Sequence, residues 1–285
     1  MKTVVITGAN SGIGFQAARL FANAGDRLVL LCRPGQKTDR AMELIRDESN
    51  NPDISLIEVD LSEPESIEAA VDQIQANTQV IDVLVNNAGL QKKHFTTDSQ
   101  GVEMSLAVNF RAPFILAEGL KELLAKSDSG RIINVVSELY RKGEFPVQEN
   151  TQAKGYNAGK AYANSKRAAV LMSQEMARRY AANNIDVFCL HPGVLATDAL
   201  RDYSPLMIRI VSLFLEKPEV GGKRIYDLAT LEKYSGQSGS YVYKDEVRVW
   251  DKRALNQDNQ LAAWELAGSL AAGDQNESNP SKVAK

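Results

Sequence analysis

A glycine-rich turn near the start of the chain limits the possible fold more than any other feature of the sequence. The apolar run Thr3–Thr7 leads directly into the segment GANSGIG at residues 8–14, and a helical pattern follows. A turn that joins a first strand to a helix lets its backbone amides approach the pyrophosphate of a dinucleotide. Gly8 and Gly12 would permit that approach, and Gly14 would let the helix pack closely on the strand. A merely structural tight turn is the alternative, and the strand-turn-helix context disfavours it.

Short apolar runs alternate with longer amphipathic stretches along the chain, which is typical of β-α-β units around a parallel sheet. A length of 285 residues suits one large domain better than two. We therefore predict a single α/β domain at residues 1–268, a Rossmann-type doubly wound parallel sheet flanked by helices, and a disordered polar tail at 269–285. The predicted strands are Thr3–Thr7, Arg27–Cys32, Ser55–Glu58, Val80–Val85, Arg131–Val136, Ile185–Leu190 and Gly239–Tyr243. The predicted helices are Gly14–Ala24, Thr38–Asn50, Glu63–Ala76, Gly101–Lys126, Tyr156–Asn183 and Val220–Leu231, the third with Ser62 as its N-terminal cap.

Composition and charge exclude several classes of function. The formal net charge of -3 offers no overall attraction for nucleic acid or anionic lipid. The two cysteines and two histidines lack the spacing of a disulfide framework or a metal site, so we expect neither. The first residues run straight into a strand, which predicts no targeting leader and a cytoplasmic location.

One apolar run, Leu206–Leu215, breaks the alternation of strands and helices. It is too short to cross a bilayer, which needs about 20 such residues. Two interpretations stay open for this run: a lid or wall over a hydrophobic substrate pocket, or an ordinary helix in the core or at a dimer contact. We expect no transmembrane segment elsewhere in the chain.

The choice between NAD and NADP depends on the residue that ends the second strand. A carboxylate there would hold the adenosine ribose 2′-hydroxyl, but this strand ends in Leu31-Cys32-Arg33. Arg33 can offer a 2′-phosphate a charge-assisted contact, which favours NADP(H) over NAD(H). The alternative for Arg33 is a solvated surface arginine.

Two tyrosine–lysine pairs are candidates for proton transfer, because a lysine one helical turn after a tyrosine can favour the phenolate. The pairs are Tyr156 with Lys160 and Tyr162 with Lys166, and spacing alone does not choose between them. The second pair runs into a strongly helix-forming segment, which favours it. Ser137, at the carboxyl end of a predicted strand, would polarise the substrate oxygen.

The spacing of the glycine turn, TGxxxGxG, resembles that of the short-chain dehydrogenase/reductase family. The segments NNAG at 86–89 and PGVLAT at 192–197 are similar to further motifs of that family, and the distance from Tyr162 to Pro192 agrees with it. The resemblance implies the catalytic set Asn109, Ser137, Tyr162 and Lys166. The cofactor contacts that it implies are Gly8, Asn10, Ser11, Gly12, Ile13, Gly14, Arg33, Asp60, Leu61, Asn87, Ala88, Gly89, Tyr162, Lys166, Pro192, Gly193, Val194 and Thr197.

The long stretch between Ser137 and Tyr162 resembles the retinol-dehydrogenase-like branch of the family. That branch implies an extended apolar carbonyl or alcohol as the small-molecule substrate, without fixing it. The competing hypothesis is a sensor or scaffold protein that binds NADP without turnover. The family often pairs the helices predicted at Gly101–Lys126 and Tyr156–Asn183 across a two-fold, giving a homodimer or homotetramer, but packing on their own sheet explains their apolar faces equally.

Overall fold

The sheet at the centre of the molecule has eight strands in the order β3-β2-β1-β4-β5-β6-β7-β8. The computed structural model describes residues 1–147, 154–193 and 216–273. Seven strands run parallel, and β8 pairs antiparallel with β7. The strands are β1 Thr3–Thr7, β2 Arg27–Cys32, β3 Ile54–Glu58, β4 Val83–Asn86, β5 Gly130–Val135, β6 Ile185–His191, β7 Tyr241–Tyr243 and β8 Glu246–Arg248. The predicted doubly wound α/β sheet is therefore confirmed.

Helices cover both faces of this sheet. They are α1 Gly12–Asn23, α2 Gln36–Ser49, α3 Pro64–Asn77, α4 Met104–Leu106, α5 Ala112–Leu124, α6 Ala158–Tyr180, α7 Pro218–Thr230 and α8 Gln257–Ala271. Between α4 and α5 the chain makes a π-helical turn, Ala107–Arg111. One apolar core lies between the sheet and α1, α2 and α7, and a larger one lies under α3, α5, α6 and α8. Because both faces are buried, the central strands are apolar throughout rather than alternating.

The N-terminus of α3 differs from the sequence prediction. Glu63, not Ser62, occupies the capping position, and its side chain makes no capping bond. The Ser62 hydroxyl instead donates to the Asp60 carboxylate at 2.7 Å. The prediction that Ser62 caps α3 was therefore wrong, because its hydroxyl is bound to the nearby Asp60 carboxylate.

The last described helix, α8, was missed from the sequence and runs through the predicted domain boundary at residue 268. It ends at Ala271, and Leu270 is buried against the core. Its Trp264 ring lies 4.9 Å from the ring of Phe114 on α5 and 6.2 Å from that of Tyr180 on α6. The chain thus covers the outer face of α5 and α6 with its last described helix. Residues 274–285 lie outside the described ranges.

No helix within the described ranges combines the length and the apolar character needed to cross a membrane. The same ranges hold no group of three or more His, Cys, Asp or Glu side chains able to bind a metal ion. The apolar run Leu206–Leu215 lies outside the described residues.

Candidate active site

The glycine turn connects β1 to α1 at the carboxyl edge of the sheet. Gly8 and Gly12 both adopt positive φ angles, +65° and +57°, which favour glycine. The Thr7 hydroxyl accepts hydrogen bonds from the backbone amides of Asn87 at 3.0 Å and Ala88 at 2.9 Å. The turn is thereby tied to the segment that follows β4.

The Asn87 side chain fixes the inner wall of the turn. Its amide nitrogen donates to the carbonyl oxygens of Thr7 at 2.8 Å and Gly8 at 3.2 Å. A Cβ on Gly14 would lie 2.2 Å from that nitrogen and 2.6 Å from the Gly8 oxygen. Only a hydrogen fits at Gly14. The sequence predicted close packing of this glycine on the strand, and the groups that it approaches are the Asn87 side chain and the Gly8 carbonyl oxygen.

Asn10 and Arg33 meet at the outer edge of the turn, through Thr38. The Asn10 amide donates to the Thr38 hydroxyl at 2.8 Å, and that hydroxyl donates to the Arg33 carbonyl oxygen at 2.6 Å. The Arg33 side chain is exposed at the end of β2, as are its neighbours through Lys37. The guanidinium is therefore accessible beside the loop.

Positive charge gathers around Asp60, after β3. Burial would raise the pKa of the Asp60 carboxyl, but hydrogen bonds from Ser62 and the positive charges of Arg33 and Lys92 lower it below its usual value. The carboxylate is therefore charged at neutral pH. Leu61, which was grouped with Asp60, points its side chain into the core. Lys92 was missed from the sequence because nothing in its local pattern places it near Asp60.

Ser137 and Tyr162 meet at the carboxyl edge of β5. Ser137 lies two residues after the end of β5, and Tyr162 lies in the first turns of α6. Burial raises the pKa of the partly buried Tyr162 phenol, and a hydrogen bond with the Ser137 side chain counteracts that shift. Two hydroxyls from distant segments therefore form one hydrogen-bonded pair.

Lys166 lies one helical turn after Tyr162 and is 4% exposed. Its ammonium donates to the Val135 carbonyl oxygen at 2.9 Å and lies 5.8 Å from the centre of the Tyr162 ring. Burial lowers the pKa of Lys166 to about 8. The lysine therefore still carries most of its charge at neutral pH, close to the phenol.

Asn109 lies in the π-helical turn, a feature found frequently at functional sites. Its side chain accepts from the Leu90 amide and donates to the Leu90 carbonyl oxygen, both at 2.9 Å. It also donates to the Ser165 hydroxyl at 3.0 Å. A Cβ on Gly89 would lie 3.2 Å from the Asn109 oxygen and 3.3 Å from Lys166 Nζ. The structure thus brings Asn109 and Lys166 to the same side of Gly89.

The other candidate phenol, Tyr156, has different partners. Its hydroxyl contacts the Glu103 carboxylate at 2.9 Å and the Lys92 carbonyl oxygen at 3.2 Å. Burial and the Glu103 charge raise the pKa of Tyr156 to about 12. Lys160 pairs with Glu144 at 3.0 Å. This pair is therefore bound to other groups, whereas Tyr162 contacts Ser137.

Pro192 and Gly193 follow β6 at the same edge of the sheet. Gly193 has a φ of +104°. His191, just before them, is buried, and burial lowers its pKa below the usual value, so the ring is neutral at pH 7. Val194 and Thr197, predicted to contact the cofactor, lie outside the described residues.

Comparisons with known proteins agree with this arrangement. A sequence model described as short chain dehydrogenase matches residues 2–206. Human retinol dehydrogenase 12 is 33% identical over 272 residues, covering 94% of this chain and 86% of the relative. Human retinol dehydrogenase 13 is 34% identical over 250 residues, covering 84% and 75%.

Solved structures share the fold. A short chain dehydrogenase from Salmonella enterica superposes with a TM-score of 0.68 at 26% identity, covering 86% of this chain and 96% of that one. L-Sorbose reductase from Gluconobacter frateurii, in complex with NADPH and L-sorbose, gives a TM-score of 0.70 at 23% identity, with 86% and 95% covered.

Proposed function

Because the chain belongs to the short-chain dehydrogenase family of oxidoreductases, we propose that it is an NADP(H)-dependent enzyme that interconverts a carbonyl and an alcohol. The observation that carries this proposal is the contact between the Tyr162 and Ser137 hydroxyls, with the Lys166 ammonium one helical turn away. These groups lie at the carboxyl edge of a parallel sheet, where ligands bind in open α/β folds.

The residues present suit a dinucleotide. Gly8 and Gly12 turn the backbone through positive φ, and a Cβ at Gly8 would lie 3.2 Å from Ala88. The N-terminus of α1 points its free amides toward the turn, where a pyrophosphate would be stabilised. When bound there, NADPH would supply the hydride.

The phenol of Tyr162 would supply the proton. In the reducing direction its O–H donates to the substrate oxygen, while the Ser137 hydroxyl donates a second hydrogen bond to the same atom. In the oxidising direction the phenolate takes the proton from the alcohol. Burial alone raises the pKa of Tyr162. The hydrogen bond with Ser137 counteracts that shift, and the Lys166 ammonium, 5.8 Å from the ring centre, would further favour the phenolate.

Asn109 would position the segment after β4 and the helix α6 around Lys166. Its three hydrogen bonds, two to Leu90 and one to Ser165, hold the chain after Gly89 against α6. These bonds support a positioning role, and the adjacency of Asn109 and Lys166 at Gly89 supports the water-holding role that the family resemblance implies.

The preference for NADP over NAD is proposed from the charges beside the glycine turn. Arg33 is exposed at the end of β2, and no acid takes its place there. Lys92 adds a second positive charge near Asp60. A 2′-phosphate would gain charge-assisted contacts at this edge.

The proposed substrate is an extended apolar aldehyde, ketone or secondary alcohol. Support comes from relatives named as retinol dehydrogenases, which are 30–34% identical over most of the chain. The structural neighbour bound to L-sorbose supplies the contrasting class, a small polar ketose. The cytoplasmic location stays a prediction of the sequence.

A carbonyl panel followed by NADPH absorbance tests the function. The panel contains retinal and long-chain aldehydes as the apolar class and L-sorbose with other small sugars as the polar class. We expect turnover of the apolar class at higher kcat/KM. Equal turnover of both classes would refute the substrate assignment. NADPH binding without turnover of any member would favour the sensor hypothesis instead.

A further inference from the structure

A buried arginine on α7 contacts two stretches of chain, one directly after β6 and one directly before α7. Arg224 has a side chain that is 7% exposed. Its guanidinium donates to the Pro192 carbonyl oxygen at 2.6 Å, directly after β6. The same group binds both oxygens of the Glu216 carboxylate, at 2.7 Å and 3.0 Å. One side chain therefore connects residue 192 with residue 216.

Two further charged side chains surround the ion pair between Arg224 and Glu216. The guanidinium also reaches the Asp245 carboxylate at 3.2 Å, and Lys244 lies 3.4 Å from Glu216. Hydrogen bonds from Arg224, together with the positive charges of Arg224 and Lys244, lower the pKa of Glu216 and keep it charged. Removal of the Glu216 carboxylate would leave the buried Arg224 charge without its bidentate partner, which is strongly unfavourable.

Gly193 is shaped to fit the same contact. A Cβ on it would lie 2.1 Å from a Glu216 carboxylate oxygen and 2.8 Å from an Arg224 nitrogen. The ion pair thus packs against bare backbone at the turn after β6. Even a methyl group at residue 193 would therefore displace the ion pair.

We propose that Arg224 is a positioning residue, which holds the Pro192-Gly193 turn in place for the nicotinamide half of the dinucleotide. The inference rests on the proposed function and on the family resemblance of the PGVLAT segment, which implies that this turn binds the nicotinamide half of the cofactor. Arg224 acts through the Pro192 carbonyl and needs no contact with the cofactor. A lysine cannot replace it, because one ammonium cannot bind the carbonyl oxygen and both carboxylate oxygens in this fork geometry.

The inference predicts that Arg224 affects the two halves of the cofactor differently. The adenosine half would bind near Arg33 and the glycine turn, which are remote in sequence from Arg224. Loss of the Arg224 contacts should therefore weaken the binding of NADPH and leave unchanged the binding of 2′,5′-ADP, which lacks the nicotinamide. A general loss of stability would instead weaken the binding of both ligands or of neither.

The test compares Arg224→Met with Lys223→Gln in the full chain. Lys223 neighbours Arg224 on α7, is itself exposed and pairs with Asp227 on the same helix, so it is a matched control. Dissociation constants for NADPH and for 2′,5′-ADP are measured by calorimetry, and melting temperatures are recorded. For Arg224→Met we expect NADPH to bind about tenfold or more weakly, a change of about 1.4 kcal/mol, with 2′,5′-ADP unchanged. Lys223→Gln should match the wild type.

A second variant covers the case in which Arg224→Met fails to fold. Glu216→Gln keeps the side chain's size and removes its charge, so it should show the same split between the ligands with a smaller amplitude. Equal affinities of the variants and the wild type for NADPH, or equal weakening of both ligands, would overturn the inference. Absence of NADPH binding to the wild-type chain would instead overturn the proposed function.

Discussion

Replacing Gly14 with alanine should damage the glycine turn directly. The added Cβ would lie 2.2 Å from the Asn87 amide nitrogen and 2.6 Å from the Gly8 oxygen. The Gly8 oxygen belongs to the backbone and cannot move aside alone, so Asn87 must withdraw. Its bonds to the Thr7 and Gly8 carbonyl oxygens are then lost.

The size of the effect follows from these contacts. Two lost hydrogen bonds contribute about 1 kcal/mol each, and overpacking adds about 1–3 kcal/mol. The better helix propensity of alanine returns at most about 1 kcal/mol. We expect the free energy of unfolding to fall by about 2–4 kcal/mol, and the melting temperature to fall by about 5 °C or more.

Gly268→Ala is the matched control, because it makes the same change in the interior of α8. The nearest heavy atom to its added Cβ is Phe114 Cζ at 3.7 Å, an ordinary contact. This variant should melt at or slightly above the wild-type temperature. Thermal unfolding of the two variants, with NADPH binding measured alongside, checks the expectation. Equal melting temperatures for Gly14→Ala and Gly268→Ala would refute the packing argument.

Three further predictions concern the cofactor, the buried lysine and the assembly. Arg33→Asp should reverse the preference for NADPH over NADH, and unchanged kcat/KM ratios for the two cofactors would contradict the assignment. Burial lowers the pKa of Lys166 to about 8 from 10.5, so between those pH values the unfolded chain binds more protons and stability rises with pH. Lys166→Met should therefore have a free energy of unfolding in urea about 1–3 kcal/mol above that of the wild type at pH 7. The difference should shrink as the pH rises from 8 through 10.5, and a difference constant with pH would count against the reasoning. Because α8 covers the outer face of α5 and α6, light scattering should find a single-chain mass, and Trp264→Ala should promote self-association; a dimeric wild type would disprove this.

Local chemistry made part of the fold predictable. The bounds of β1 and β2 follow from the sequence without error, because apolar runs end at a glycine turn or a charged residue in each case. The predicted helix Gly101–Lys126 is divided in the structure into α4, the π-helical turn and α5, and the other predicted elements shift by at most three residues at either end. The glycine turn itself needed only the strand before it and the helix after it.

Other parts depended on contacts that no local pattern carries. β8 has three exposed residues and no face turned to the core, so its sequence shows no alternation. α8 is rich in alanine, which blurs its apolar stripe. Its burial depends on Phe114 and Tyr180, which are distant along the chain.

The candidate site shows the same division. The sequence offered two tyrosine–lysine pairs of equal spacing, and helix propensity and the family spacing favoured Tyr162 with Lys166. The tertiary contacts add what no local pattern shows: Tyr156 contacts Glu103, whereas Tyr162 contacts Ser137. Lys92 and Arg224 were not found, because their importance depends on Asp60 and Pro192 lying beside them in space.

Single-turnover reduction of a carbonyl by bound NADPH tests the central claim most directly, with Tyr162→Phe and Tyr156→Phe compared side by side. Each variant removes one phenolic oxygen from the same segment. The account predicts that Tyr162→Phe binds NADPH normally but reduces the carbonyl at least about a hundredfold more slowly, while Tyr156→Phe keeps a rate near that of the wild type. A Tyr162→Phe protein that reduces its substrate at the wild-type rate would contradict it.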